Sequence, residues 1–136
     1  MASKQVKLIE FPKMCDPGAS LTVVDGENHL PFAIKRIYYL SEISAKMRGG
    51  HAHQHHEEVL IPIIGGFKVT LDDGKNRVDY ELRKSSQGLY YPTMLWHELS
   101  DFEPGTIVLA LASQPYDAND YYRSLDEFYA ALGSCY

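Results

Sequence analysis

Cysteine is scarce. Cys15 and Cys135 stand near opposite ends of the 136 residues, with no CxxC spacing and no set of several pairs. That excludes a disulfide framework and leaves the expectation of two free thiols in a reducing cytoplasm. Positive charge is in deficit, with 13 Lys and Arg against 18 Asp and Glu and a formal charge of -5. A general polyanion binder is thereby excluded and nucleic acid is not an expected partner, although a local arginine cluster can still hold one phosphorylated ligand. No apolar run is long enough to span a membrane. The opening "MASKQVKLIEF" is broken by Lys4, Lys7 and Glu10, so it lacks the hydrophobic core of a signal peptide, and the expectation is a cytoplasmic protein. Internal repeats, low-complexity segments and linkers are also missing, and the length suits one domain, 1–136, with a sizeable core.

What the chain has in quantity is short β-branched and aromatic segments between turn signals, the pattern of an all-β sandwich or barrel. Strands are predicted at 6–11, 20–25, 34–40, a short piece through "GHAHQ", 59–64, 67–72, 78–84, 94–99 and 106–113. Gly65-Gly66 and Asp73-Gly74 supply the positive-φ positions of tight hairpins. Pro62 has no backbone donor, so its strand is expected at a sheet edge or with a bulge there. Ser124 and Glu127 form an S-x-x-E capping box before "FYAAL", which predicts a short C-terminal helix.

The stretch "RGGHAHQHHEEV" concentrates four of the six histidines. In an extended strand His51 and His53 face the same way, at a spacing that lets both imidazoles reach one small ligand. The same alternation in "TMLWHEL" puts Thr93, Leu95, His97 and Leu99 on one face and Met94, Trp96 and Glu98 on the other. If the leucine face is interior, His97 joins His51 and His53. His55 and His56, in the polar "QHHEE", read as a solvated turn outside the site. Trp96, opposite His97, reads as packing or interface.

The order His51-x-His53, then Glu58, Gly65 and a later "GLYYPTMLWH" resembles the two-motif signature of the cupin superfamily, with Met94 where glycine is usual and Asp101 where asparagine is frequent. The resemblance implies a small jelly-roll β-barrel. In metal-dependent cupins the positions of His51, His53, Glu58 and His97 bind a divalent metal, a donor set that suits a borderline transition metal. A narrower resemblance covers nearly the whole chain. "PFAIKRIYYL", "RGGHAH", "VTLDDG", "GLYYPTMLWHELSDF" and "VLALASQPYDANDYYRSLDEF" are similar to the sugar 3,4-ketoisomerases that act on dTDP-4-keto-6-deoxyglucose. That family implies a metal-free and cofactor-free enzyme and a homodimer with exchanged N-terminal strands. It also implies a product on the way to a 3-amino-3,6-dideoxy sugar of a bacterial surface polysaccharide. Glu58 departs from a position that is often glutamine, and Pro17 lies near one often filled by a larger side chain. The rivals are a metal-dependent cupin and a dTDP-sugar 3,5-epimerase.

Moving a ketone from C4 to C3 through an enediol requires a base and an acid but no hydride acceptor, and imidazole serves near neutrality. The resemblance assigns acid–base roles to His51 and His53; His51 is expected to handle the carbon-bound protons and His53 to assist at the oxygens, with Tyr38 helping to hold the sugar. Arg48, just before the histidines, is the expected diphosphate contact through its planar fork, with Arg36 a weaker candidate. Glu58 is expected either to bind a metal or to fix a histidine tautomer. By the same resemblance His97 sits where the choice of configuration at C4 is open to influence, and the galacto product is the expected one.

Overall fold

The computed structural model describes residues 4–133, so Cys135 lies outside the described residues, while Cys15 is a free, exposed thiol. Among the described residues twelve strands run in chain order: β1 Lys7–Glu10, β2 Lys13–Cys15, β3 Ser20–Thr22, β4 Arg36–Leu40, β5 Met47–His53, β6 Glu58–Ile64, β7 Phe67–Asp72, β8 Arg77–Leu82, β9 Gln87–Tyr91, β10 Trp96–Ser100, β11 Ile107–Ala112 and β12 Tyr121–Tyr122, followed by helix α1 Leu125–Gly133. One five-stranded antiparallel sheet has the order β1-β9-β6-β11-β4 and the other β12-β5-β10-β7-β8, while β2 and β3 form a separate hairpin. Among the described residues no helix is long and apolar enough to cross a membrane.

The two large sheets bury a shared core in which Leu60, Leu89 and Val108 of the first meet Phe67, Val69, Leu82 and Leu99 of the second. Period-two alternation explains the layering. Along β6, Leu60 points into this core, whereas Val59 and Ile61 pack outward beneath Phe11, Leu30 and Phe32. β6 is therefore buried on both faces. On the outside of the second sheet, Ala52 and Trp96 pack against Phe128 of α1, so Trp96 is packing, as expected. The Ser124 hydroxyl accepts from Glu127 N at 3.2 Å and starts the helix as the capping box predicts.

Two strands that position the site, β9 and β12, are absent from the sequence prediction. "GLYY" contains a glycine, which argues against strand. Gly88 is there because a Cβ would stand 2.8 Å from Phe11 Cε2 and from Val59 Cγ1. The Gly65-Gly66 hairpin is corrected: β6 and β7 belong to different sheets, so this turn carries the chain across the sandwich. Gly65 has φ 79° and its missing Cβ would collide with Thr106 Oγ1. Asp73-Gly74 does close a hairpin, between β7 and β8. Pro62 lies inside the first sheet rather than at an edge, and β6 meets β11 there with a register shift between Ile107 and Val108. The β6–β9 ladder has already ended at Leu60 and Leu89, so the missing donor costs no bond on that side.

Candidate active site

The two sheets contribute different chemistry to one end of the sandwich. In the second, His51 on β5 stands directly across from His97 on β10, and His53 across from Tyr121 on β12. Directly opposed residues on adjacent strands have neighbouring side chains. The His51 and His97 rings are 4.4 Å apart at their centroids, His51 and His53 are 5.0 Å apart, and the His53 and Tyr121 rings 4.4 Å. A register shift between His97 and Glu98 makes this pairing, with Gly49 and Gly50 at positive φ on β5. A Cβ on Gly49 would stand 3.0 Å from the His97 carbonyl oxygen. The first sheet supplies Glu58 on β6, Tyr91 directly across from it on β9, and Tyr38 on the edge strand β4.

Tyr38, Arg48, His51, Glu58, Tyr91 and His97 line one cavity of about 80 Å³ between the sheets. His53 is 3 % exposed and does not line it, lying behind His51. Arg36 is also outside: its guanidinium carbon lies 5.2 Å from the Tyr38 ring centroid and 5.7 Å from that of Tyr116, and Nη2 is 3.3 Å from His56 Nδ1. Arg48 is exposed at the cavity mouth, while Arg36 packs among Tyr38, Tyr116 and His56.

The solvated-turn reading of His56 is corrected. His56 is 3 % exposed, and its Nε2 lies 2.9 Å from Glu58 Oε1. Polarity in "QHHEE" suggested solvent, but β6 carries Glu58 inward and the carboxylate draws His56 after it. His55 is exposed, as read, although its backbone N–H donates to Asp120 Oδ1 at 2.8 Å and its ring Nδ1 lies 3.0 Å from the same oxygen. Asp120, Tyr121 and Tyr91 were not singled out in the sequence. The signal for the first two lies in the tail "YDANDYY": Asp117 accepts from Asn119 N in a 3₁₀ turn, which buries Asp120 with Oδ2 3.6 Å from His53 Nδ1 and sets Tyr121 against His53.

Burial is the main cause of the histidine electrostatics, because a low-dielectric site disfavours the charged ring. It pushes His51 down to about 3 and His53 down to about 2, in each case with His97 as the next cause. Burial likewise lowers His97. At neutral pH all three are neutral imidazoles, each with one free lone pair for a proton. Glu58 is 1 % exposed, and burial raises its pKa, but the His56 contact, together with the charge that the His97, His56 and His53 rings would carry once protonated in acid, outweighs this and holds it below the usual carboxylate range. Glu58 accepts the hydroxyls of both Tyr38 and Tyr91. Burial and then the Glu58 charge keep those two phenols protonated.

Donor atoms of His51, His53 and His97 lie within 4.8 Å of one another, so three imidazoles are placed where a divalent ion would fit. The three-histidine, one-carboxylate set does not assemble, because Glu58 groups instead with His53 and His56 and its oxygens carry two tyrosine hydroxyls.

Two facing antiparallel sheets of five strands with an imidazole-lined cavity at one end define a cupin-type jelly roll. The comparisons narrow the class. A family model described as "FdtA: WxcM-like, C-terminal" matches residues 4–133. The TDP-4-oxo-6-deoxy-alpha-D-glucose-3,4-oxoisomerase of Aneurinibacillus thermoaerophilus is 38 % identical over 123 residues, 90 % of this chain and 88 % of that protein. Among solved structures, QdtA, a sugar 3,4-ketoisomerase from Thermoanaerobacterium thermosaccharolyticum in complex with TDP, superposes with a TM-score of 0.92 at 34 % identity, covering 97 % of each chain. A mutant of that enzyme in complex with TDP-4-keto-6-deoxyglucose gives 0.91 at 34 %, covering 98 % of this chain and 97 % of that one. The chain belongs to the FdtA, WxcM-like C-terminal family.

Proposed function

We propose that the protein is a 3,4-ketoisomerase acting on dTDP-4-keto-6-deoxyglucose. The observation that carries the reading is His51, neutral and facing the cavity with His97 and Tyr38, in a chain similar over nearly its whole length to enzymes named for that reaction. His51 takes the C3 proton through its free lone pair, giving an enediol, and a proton is delivered to C4. The hydroxyl at C3 becomes a carbonyl as the carbonyl at C4 becomes a hydroxyl, so electrons balance within the sugar. His53, one layer behind, assists proton movement at the oxygens through its contact with His51. Tyr38 holds the sugar and Arg48 meets the diphosphate at the mouth. His97 borders the side from which C4 is protonated, and we assign a galacto product. Incubation in deuterated buffer tests this: label at the new C4 position with migration of the carbonyl is expected. Label at C3 and C5 without migration would establish the 3,5-epimerase instead.

The working unit in this proposal is a homodimer with exchanged N-terminal strands. In support, edge strand β4 leaves Ile37 61 % and Tyr39 68 % exposed, and the isolated β2–β3 hairpin leaves Met14 and Leu21 exposed. Strand β1 pairs with β9 of its own chain at the sheet edge, the place an exchanged strand would take. Light scattering is expected to give twice the chain mass at micromolar concentration, and a monomer would refute the dimer.

A further inference from the structure

His56 does not line the cavity, yet it is buried between a cation and an anion. Arg36 Nη2 lies 3.3 Å from its Nδ1. A guanidinium only donates, so Nδ1 accepts, and the hydrogen of the neutral ring is on Nε2, which faces Glu58 Oε1 at 2.9 Å. That contact is close but out of line with the N–H direction, since Nε2 has no aligned acceptor. Its attraction is that of a ring dipole for a carboxylate. Oε1 also accepts the Tyr38 hydroxyl, and Oε2 that of Tyr91. Both oxygens act as acceptors only while the carboxylate is ionised; a protonated Glu58 would donate from one of them. With its hydrogen committed to Glu58, the Tyr38 oxygen turns its lone pairs towards the cavity it lines with His51.

We propose that His56 is a positioning residue which, with Arg36, holds Glu58 as a carboxylate and through it fixes the Tyr38 hydroxyl as an acceptor for a sugar hydroxyl. The identity of the sugar rests on the ketoisomerase reading; the chain of contacts does not. The hydroxyl at C3 must point its hydrogen at an acceptor as it turns into a carbonyl, and a tyrosine whose own hydrogen is held elsewhere supplies one. A donor in that place would hold the ground state.

The test compares His56→Asn in the native background and in Glu58→Gln, where the buried group is neutral. In the native background kcat is expected to fall about tenfold or more with KM within about threefold, and Tm to fall with it. In the Glu58→Gln background the same His56 change is expected to cost much less of both, because there is no charge left to hold. Unchanged kcat in His56→Asn, or equal losses in the two backgrounds, would overturn the proposal, the second result marking His56 as packing alone. If His56→Asn does not fold by itself, folding regained with Glu58→Gln supports the coupling and failure in both overturns it. The Tm arm needs no substrate, so a native enzyme that moves no carbonyl would overturn the proposed reaction while the coupling is still measured.

Discussion

Spacing that looks equivalent along the strand is not equivalent in the cavity: His51 lines it and His53 lies behind, although the two are only two positions apart on one face of the strand. The difference comes from what stands opposite. His51 faces His97 across β10, whereas Tyr121 and Asp120 close over His53. His51→Asn is therefore expected to cut kcat by about 10²- to 10⁴-fold, the usual contribution of a positioned acid–base group. Affinity for dTDP, measured by calorimetry, should stay close to native, because in the proposed reaction His51 acts in the transition state and Arg48, not His51, meets the diphosphate. A near-native rate would remove His51 from the reaction.

At the scale of elements, the site depends on one irregularity in β5. The register shift beside His97 brings β5 so close to β10 that a Cβ on Gly49 would stand 3.0 Å from the His97 carbonyl oxygen. Gly49 and Gly105 both have positive φ, at 84° and 78°, but a Cβ at Gly105 meets nothing within 4 Å. Gly105→Ala should then lose only the left-handed strain, about 1–2 kcal/mol, in urea unfolding. Gly49→Ala should lose more and reduce turnover as well, since His97 has to move. Equal losses at the two positions would show that the close approach is unimportant. The second cupin motif shows the converse. Met94 and Asp101 adopt φ of 61° and 53° without being glycine, so the backbone holds the left-handed shape there against the preference of the side chains.

For the whole molecule, burying these groups has a consequence for acid stability. His51 and His53 are held near 3 and 2 against an ordinary 6.5, so the unfolded chain takes up their protons first as pH falls. Their stabilising effect is complete above 6.5 and is lost progressively below it, towards the folded values, at up to about 1.4 kcal/mol per pH unit for each group. Glu58, also lowered, adds a loss of the same sign below its ordinary 4.5. Urea midpoints should fall steadily from pH 7 to pH 4, and a flat profile would refute the burial argument. The proposed abstraction of a proton by His51 also needs its lone pair uncoordinated. Enzyme purified without added metal is expected to keep its rate in chelator and to show no stoichiometric metal by elemental analysis. Activity lost on metal removal would transfer the three imidazoles to ligation.

By itself the sequence determined the all-β class, the inward face shared by His51, His53 and His97, the helix start at Ser124 and the partition of Trp96 away from the site. All of these follow from local periodicity or capping, which act over a few residues. Tertiary structure decided the rest. Gly65 turns into the opposite sheet and not into a hairpin, β9 survives a glycine because Phe11 and Val59 need its space, and His56 is buried because Glu58 is. It also decided that Arg36 belongs to the wall and Arg48 to the mouth. Apart from the His56–Glu58 contact, whose residues are neighbours in sequence, those outcomes depend on partners 20 or more residues away along the chain, brought close by strand order, and no local pattern records which partner a polar side chain will meet.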